Sequence, residues 1–258
     1  MCRRRRRTRR RDRAAGLLAG PGRGLRRAGT ALPRHRRRTV RLAFRGVGHV
    51  SASDLLVLFD WNGTLADDAE RAREATNTVL RTRGLPELTA AAFAGSFRLP
   101  MTAFMAAIGV DPADLAGAVA DWNTQMARRP PRLRTGAAAL LRRLRAGGAL
   151  VGVVSAAGAQ AVRADLRACR LAADLDIVVT DAADKGDALH RHRGLRTHAA
   201  YVGDTEYDLE CAHAAGFLPI GVTGGYRPAA ALADAGPAAL IDDLADLYDV
   251  LTCSRPST

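Results

Sequence analysis

From about residue 53 the hydrophobic pattern alternates between two kinds of segment. Short apolar runs rich in Val, Leu and Ile occupy 54–60 (DLLVLFD), 149–155 (ALVGVVS), 175–181 (LDIVVTD), 199–204 (AAYVGD) and 218–224 (LPIGVTG). Such runs read as strands buried on both faces. Between the later runs, residues 136–146, 158–169, 184–192 and 206–215 read as helices. Strand–helix alternation predicts an α/β fold, a parallel sheet with helices on both faces. Right-handed crossovers then bring every strand's carboxyl end to one edge.

One interval breaks the rhythm. Asp67 to Thr135 holds no convincing strand. DDAERAREATNTVLRTRG is an amphipathic helix with acids in its first turn and Gly84 at its end, and MTAFMAAIGV and PADLAGAVADWNTQMA also read as helical. The predicted architecture is a Rossmann-like sheet with a small helical cap inserted after the first strand. The core is expected at 52–66 and 135–251, the cap at 67–134, and an arginine-rich, disordered tail at 1–51.

Charge changes the picture only at the amino end. The net charge of +13 suggests a nucleic-acid binder. Residues 1–50, however, carry 18 arginines and one acid, whereas the remainder has 21 basic against 25 acidic residues, a balance of −4. The basic signal belongs to the tail. One reading is an arm for nucleic acid or acidic membrane; the preferred one is a passenger segment. A secretory leader is not expected, since the apolar patch AAGLLAG is short and arginine returns at Arg23. No run is long enough to span a membrane. Cys2, Cys169, Cys211 and Cys253 form no CxxC pair, which predicts neither a zinc site nor a disulfide framework and points to the cytoplasm. His190, His192 and His198 are read as surface-loop residues.

Chemistry collects at the strand ends. Asp60 ends the first run, Ser155 the second and Asp204 the fourth, and Lys185 begins the helix after the third. Ligands of open α/β sheets bind outside the carboxyl ends of the strands. Two carboxylates, a hydroxyl and an ammonium there suit a phosphate and a hard divalent ion: Asp60 and Asp204 for Mg²⁺, and Thr64, Ser155 and Lys185 for phosphate oxygens. Lys185 is the only lysine among 39 cationic residues. A chain so biased to arginine keeps lysine where a compact point charge is needed. Each residue alone has a plainer reading: a strand-end turn for Asp60, a helix cap or first-turn acid for Asp204 and Asp208, chance retention for Lys185.

Together these residues resemble the haloacid dehalogenase-like hydrolase superfamily. Its phosphatases carry DxDGT, a strand ending in Ser or Thr, a lysine, and GDxxxD. Here these stand as Asp60-Trp61-Asn62-Gly63-Thr64, Ser155, Lys185 and Gly203-Asp204-Thr205-Glu206-Tyr207-Asp208, in order, within about residues 53–250. The helical insert is similar to the cap of the phosphoglycolate phosphatase-like subgroup. The resemblance implies a phosphatase of a small phosphorylated metabolite. Asp60 would form an aspartyl-phosphate. Mg²⁺ would sit on Asp60, Asp204, the backbone carbonyl of Asn62 and, directly or through water, Asp208. The cap carries no lysine, which disfavours a Schiff-base phosphonatase; Arg98, Arg128 and Trp122 are its candidate substrate contacts.

Asn62 departs from the pattern. The family's second Asp serves as general acid and base, and an amide does neither. Three readings stand: a substrate with a good leaving group, a slow phosphatase that borrows another group such as Asp67 or Asp68, or a non-catalytic protein that binds a phosphorylated ligand or partner.

Overall fold

A computed structural model describes residues 50–252; the predicted tail, apart from its last two residues, lies outside them. The first apolar run forms β1 (Leu55–Phe59), with all five side chains buried. Leu55, Val57 and Phe59 pack on one side, against α5 (Ala137–Ala146) and α10 (Leu247–Thr252). Leu56 and Leu58 pack on the other, against α7 (Lys185–His190) and α8 (Glu206–Ala214). A strand covered on both faces must be apolar at every position, which is why the run lacks alternation. Each buried side chain contributes about 1.5–3 kcal/mol relative to exposure.

The other strands are β4 (Leu150–Val154), β5 (Ile177–Val179), β6 (His198–Gly203), β7 (Leu218–Val222) and β8 (Ala239–Ile241). They and β1 form one sheet of order β5-β4-β1-β6-β7-β8, parallel throughout. The central position of β1, between β4 and β6, puts Asp60 between Ser155 and Asp204. The α6 helix (Ala159–Ala168) follows β4, and α9 (Ala229–Asp234) follows β7. β8, three residues long, was not anticipated, and neither were α9 and α10; segments this short carry too few periodic positions to register.

The inserted block holds α1 (Ala69–Thr82), α2 (Ala90–Ser96), α3 (Met101–Ala107) and α4 (Leu115–Met126). Its apolar centre includes Phe93, Phe97, Phe104, Met105 and Trp122, and Tyr226 joins it from the loop after β7. The expectation that 67–135 lacks strands needs one correction. β2 (Ala66–Asp67) and β3 (Arg132–Leu133) form a two-residue antiparallel ladder where the chain enters and leaves the block. Its pairing depends on partners 65 and 67 positions away, which no local pattern records. His190 ends α7 and His198 opens β6, so these two lie on elements rather than on the loop expected for them.

Candidate active site

The polypeptide must turn sharply after β1 for the Asp60 carboxylate to stay at the sheet edge. Gly63 makes that turn with φ +79°, and a Cβ there would stand 2.2 Å from Asp204 Oδ2. Glycine is required twice over, for the left-handed backbone and for the approach. Gly225 closes in from the β7 side, where a Cβ would lie 2.3 Å from the same oxygen. Arg134 pins the loop by donating to the carbonyls of Gly63, Thr64 and Thr223.

Lys185 is wholly buried, and its Nζ reaches Asp60 Oδ1 at 2.9 Å and Asp208 Oδ1 at 2.6 Å. Asp208 Oδ2 accepts from the Thr205 amide at 3.1 Å and the Thr205 hydroxyl at 2.6 Å. Thr205, not Asp204, is thus the N-cap of α8, and Asp208 serves both the capping box and the site. Asp204 Oδ1 accepts from Thr64 Oγ1 at 2.8 Å and Oδ2 from the Tyr226 amide at 2.7 Å. Ser155 lines the same cavity as Asp60, Asn62 and Lys185. Thr64, expected at a phosphate, instead has its hydroxyl committed to Asp204.

Among the described residues, Asp60, Asp204 and Asp208 can each bring a carboxylate oxygen within 4.8 Å of the others. All three are buried, with one ammonium between them. Burial pushes Asp60 up to about 7 against the pull of Lys185. Burial, then the charges of Asp208 and Asp60, holds Asp204 well above the ordinary carboxylate range. Burial alone would lower Lys185, but Asp208 and Asp60 outweigh it and raise it well above its usual value. Three carboxylates with one cation are under-neutralised. A hard divalent ion with oxygen preference fits both the charge and the donor set.

The family described as haloacid dehalogenase-like hydrolase matches residues 57–222, a span that runs from β1 to β7 and contains Asp60, Ser155, Lys185, Asp204 and Asp208. The chain is a haloacid dehalogenase-like hydrolase. No curated protein matches it in sequence. Solved structures share the fold. A predicted phosphoglycolate phosphatase from Haemophilus somnus is 18% identical, with TM-score 0.67 over 76% of this chain and 96% of that one. A predicted phosphatase from Clostridium acetobutylicum is 22% identical, with TM-score 0.66 over 76% and 97%. CbbY from Rhodobacter sphaeroides, in complex with phosphate, is 22% identical, with TM-score 0.60 over 75% and 96%.

In this hydrolase, Asn62 lines the cavity but its amide is turned to a neighbour. Asn62 Nδ2 donates to Asp68 Oδ2 at 2.8 Å. Asp68 also accepts from Gly63 N at 2.9 Å, Tyr226 OH at 3.0 Å and Arg71 at 2.8 Å. Burial raises Asp68 above its ordinary value, and Arg71 and Asn62 counter only part of that. Asp67, its neighbour in sequence, is exposed on β2. Arg71 continues the network to Asp165 on α6 at 2.7 Å, and Trp61 Nε1 donates to the same carboxylate at 3.1 Å.

Of the cap candidates, Trp122 lines the cavity. Arg98 and Arg128 are exposed and do not. Tyr226, Arg71, Asp165 and Arg134 escaped the sequence reading. Only the GG pair before Tyr226 offered a signal, a loop directly after a strand.

Proposed function

We propose that this hydrolase is a Mg²⁺-dependent phosphatase of a small phosphorylated metabolite, working through an aspartyl-phosphate on Asp60. The observation that carries the reading is the buried Asp60–Lys185–Asp208 contact beside Asp204, at the carboxyl edge of the sheet. The phosphatases and the phosphate complex among its structural neighbours support the same reading.

The roles follow from position. Asp60 attacks phosphorus, and the bond to the leaving oxygen breaks with its electron pair going to that oxygen. Lys185 offsets charge on Asp60 and on the phosphoryl oxygens, and Ser155 donates a hydrogen bond to one of them. Thr64 and the Tyr226 amide hold Asp204. Mg²⁺, held by Asp60, Asp204, Asp208 and the backbone carbonyl of Asn62, would supply charge neutralisation and orientation. The helical block excludes bulk water. Free thiols at Cys169 and Cys211 agree with a reducing, cytoplasmic setting.

The decisive test is turnover of p-nitrophenyl phosphate with Mg²⁺, with Asp60→Asn as control. The native protein should show turnover and a phosphorylated intermediate. Asp60→Asn should keep the fold and lose at least ~10⁴-fold in rate. Comparable activity in the variant would eliminate the mechanism. The position of Asn62 favours a second reading, a non-catalytic phosphate-binding protein. That reading predicts tight binding of a beryllium fluoride–Mg²⁺ adduct without turnover.

A further inference from the structure

The walls of the Asp60 cavity differ by level. Its floor is polar: Asp60, Asn62, Ser155, Lys185 and Thr205. Above it stand Phe97, Leu99, Met101, Trp122 and Tyr226. Trp122 and Tyr226 have polar atoms, but both are engaged elsewhere. Trp122 Nε1 donates to Thr76 Oγ1 at 3.2 Å, within the cap. Tyr226 OH donates to Asp68 at 3.0 Å, and its ring packs edge-on against Phe97 at 4.6 Å. Lys185 is the cation among the lining residues, and Asp60 and Asp208 already hold it. Among the lining side chains, the part of a substrate beyond its phosphate therefore meets mainly rings and aliphatic carbon, and no cation free to pair with a carboxylate.

A second constraint comes from Asn62. The family position for a proton donor carries an amide whose nitrogen is bound to Asp68. A leaving oxygen there gains no proton from this side chain, which favours a group that departs as a stable anion.

We propose that the substrate is an aryl phosphate monoester: an uncharged ring seated against Phe97, Leu99, Met101 and Trp122, with a phenolate as leaving group. Asp60 forms the bond to phosphorus, the phosphorus–aryl oxygen bond breaks, and its electron pair leaves on the phenolate, which takes a proton from solvent after release. This deepens the phosphatase reading and rests on it.

The experiment compares kcat/KM of the full-length protein with Mg²⁺ for phenyl phosphate, 4-carboxyphenyl phosphate, phosphocholine and 2-phosphoglycolate. The para-carboxylate leaves the phenolate at least as good a leaving group, so chemistry alone does not favour the unsubstituted ring. Phenyl phosphate should lead its carboxylated analogue by ~10²-fold, because an unpaired carboxylate is costly against apolar walls. Leu99→Arg, at a half-buried position, should shrink or reverse that ratio. A ratio near one in the native protein, or faster hydrolysis of phosphoglycolate, would overturn the aryl assignment while the phosphatase reading stands. Preference for phosphocholine would mean that the rings hold a cation, and would overturn it too. No hydrolysis of any ester, with the beryllium fluoride–Mg²⁺ adduct still bound, would remove both readings together.

Discussion

At the scale of the residue, Asn62 and Asp68 behave as one unit. A carboxylate at 62 would return the family's acid, but it would face Asp68 across the distance at which the amide now donates, 2.8 Å. Two carboxylates so close, one of them buried, repel each other when both are ionised. Asn62→Asp alone should therefore be less stable than the native protein. The sign follows from the shared proton: folded pKa values are raised, so the variant is least penalised at low pH and loses stability as pH rises above the ordinary carboxylate value of about 4. Melting temperatures of variant and native protein across that range should diverge. Adding Asp68→Asn should narrow the gap without closing it, since it removes the second carboxylate but also one partner of Arg71. If the single variant melts like the native protein at pH 7, the two side chains do not face each other as described.

At the scale of the element, the helical block is joined to the sheet by a few half-buried polar side chains. Arg71 on α1 binds Asp68, Asp165 on α6, and the carbonyls of Met126 and Arg129 at the end of the block. Arg227 binds Glu206 on α8 and the carbonyls of Ala94 and Gly95 near the end of α2. Arg71→Ala leaves Asp68 and Asp165 buried without their cation, and the expected loss is ~3–5 kcal/mol. Arg71→Lys should recover only part of it, because one ammonium cannot reproduce the planar fork that spans two carboxylates. Chemical denaturation of both variants measures this. These contacts also explain a limit of sequence reading. The three principal helices of the block were legible from their periodicity. The β2–β3 ladder, the Arg71 bridge and the Arg227 contact pair residues up to 133 positions apart, and local spacing carries no trace of them.

At the scale of the whole molecule, the acidic centre stores an electrostatic cost that the proposed divalent ion would relieve. Asp60 is raised from 3.8 to about 7, and Asp204 is raised as well. Raised carboxylates bind protons in the folded state that the unfolded chain has released. Without metal, the contribution of these two groups to stability is therefore full below about pH 4 and is lost as pH climbs through 7. Mg²⁺ should raise the melting temperature more at pH 8 than at pH 5. At a hundredfold excess over Kd the gain is about 2.7 kcal/mol, or several degrees for a domain of this size. A calorimetric titration at the two pH values reads it directly. An equal shift at both would mean that the carboxylates are not the ion's ligands.

The sequence by itself determined five of the sheet's six strands and the residues at its edge. Strands buried on both faces must be continuously apolar, and the polar residue that ends such a run is conspicuous: Asp60, Ser155 and Asp204 were legible for that reason, and Lys185 because no other lysine competes with it. The family followed from the order of those motifs. Only the tertiary structure decided what each side chain faces. It turned Thr64 to Asp204 and Asn62 to Asp68, left Arg98 and Arg128 at the surface, and brought Tyr226 from the loop after β7 against a cap more than a hundred positions earlier. Periodicity records which side of an element is buried. The direction of a hydrogen bond and the lining of a cavity depend on packing between elements far apart in the chain.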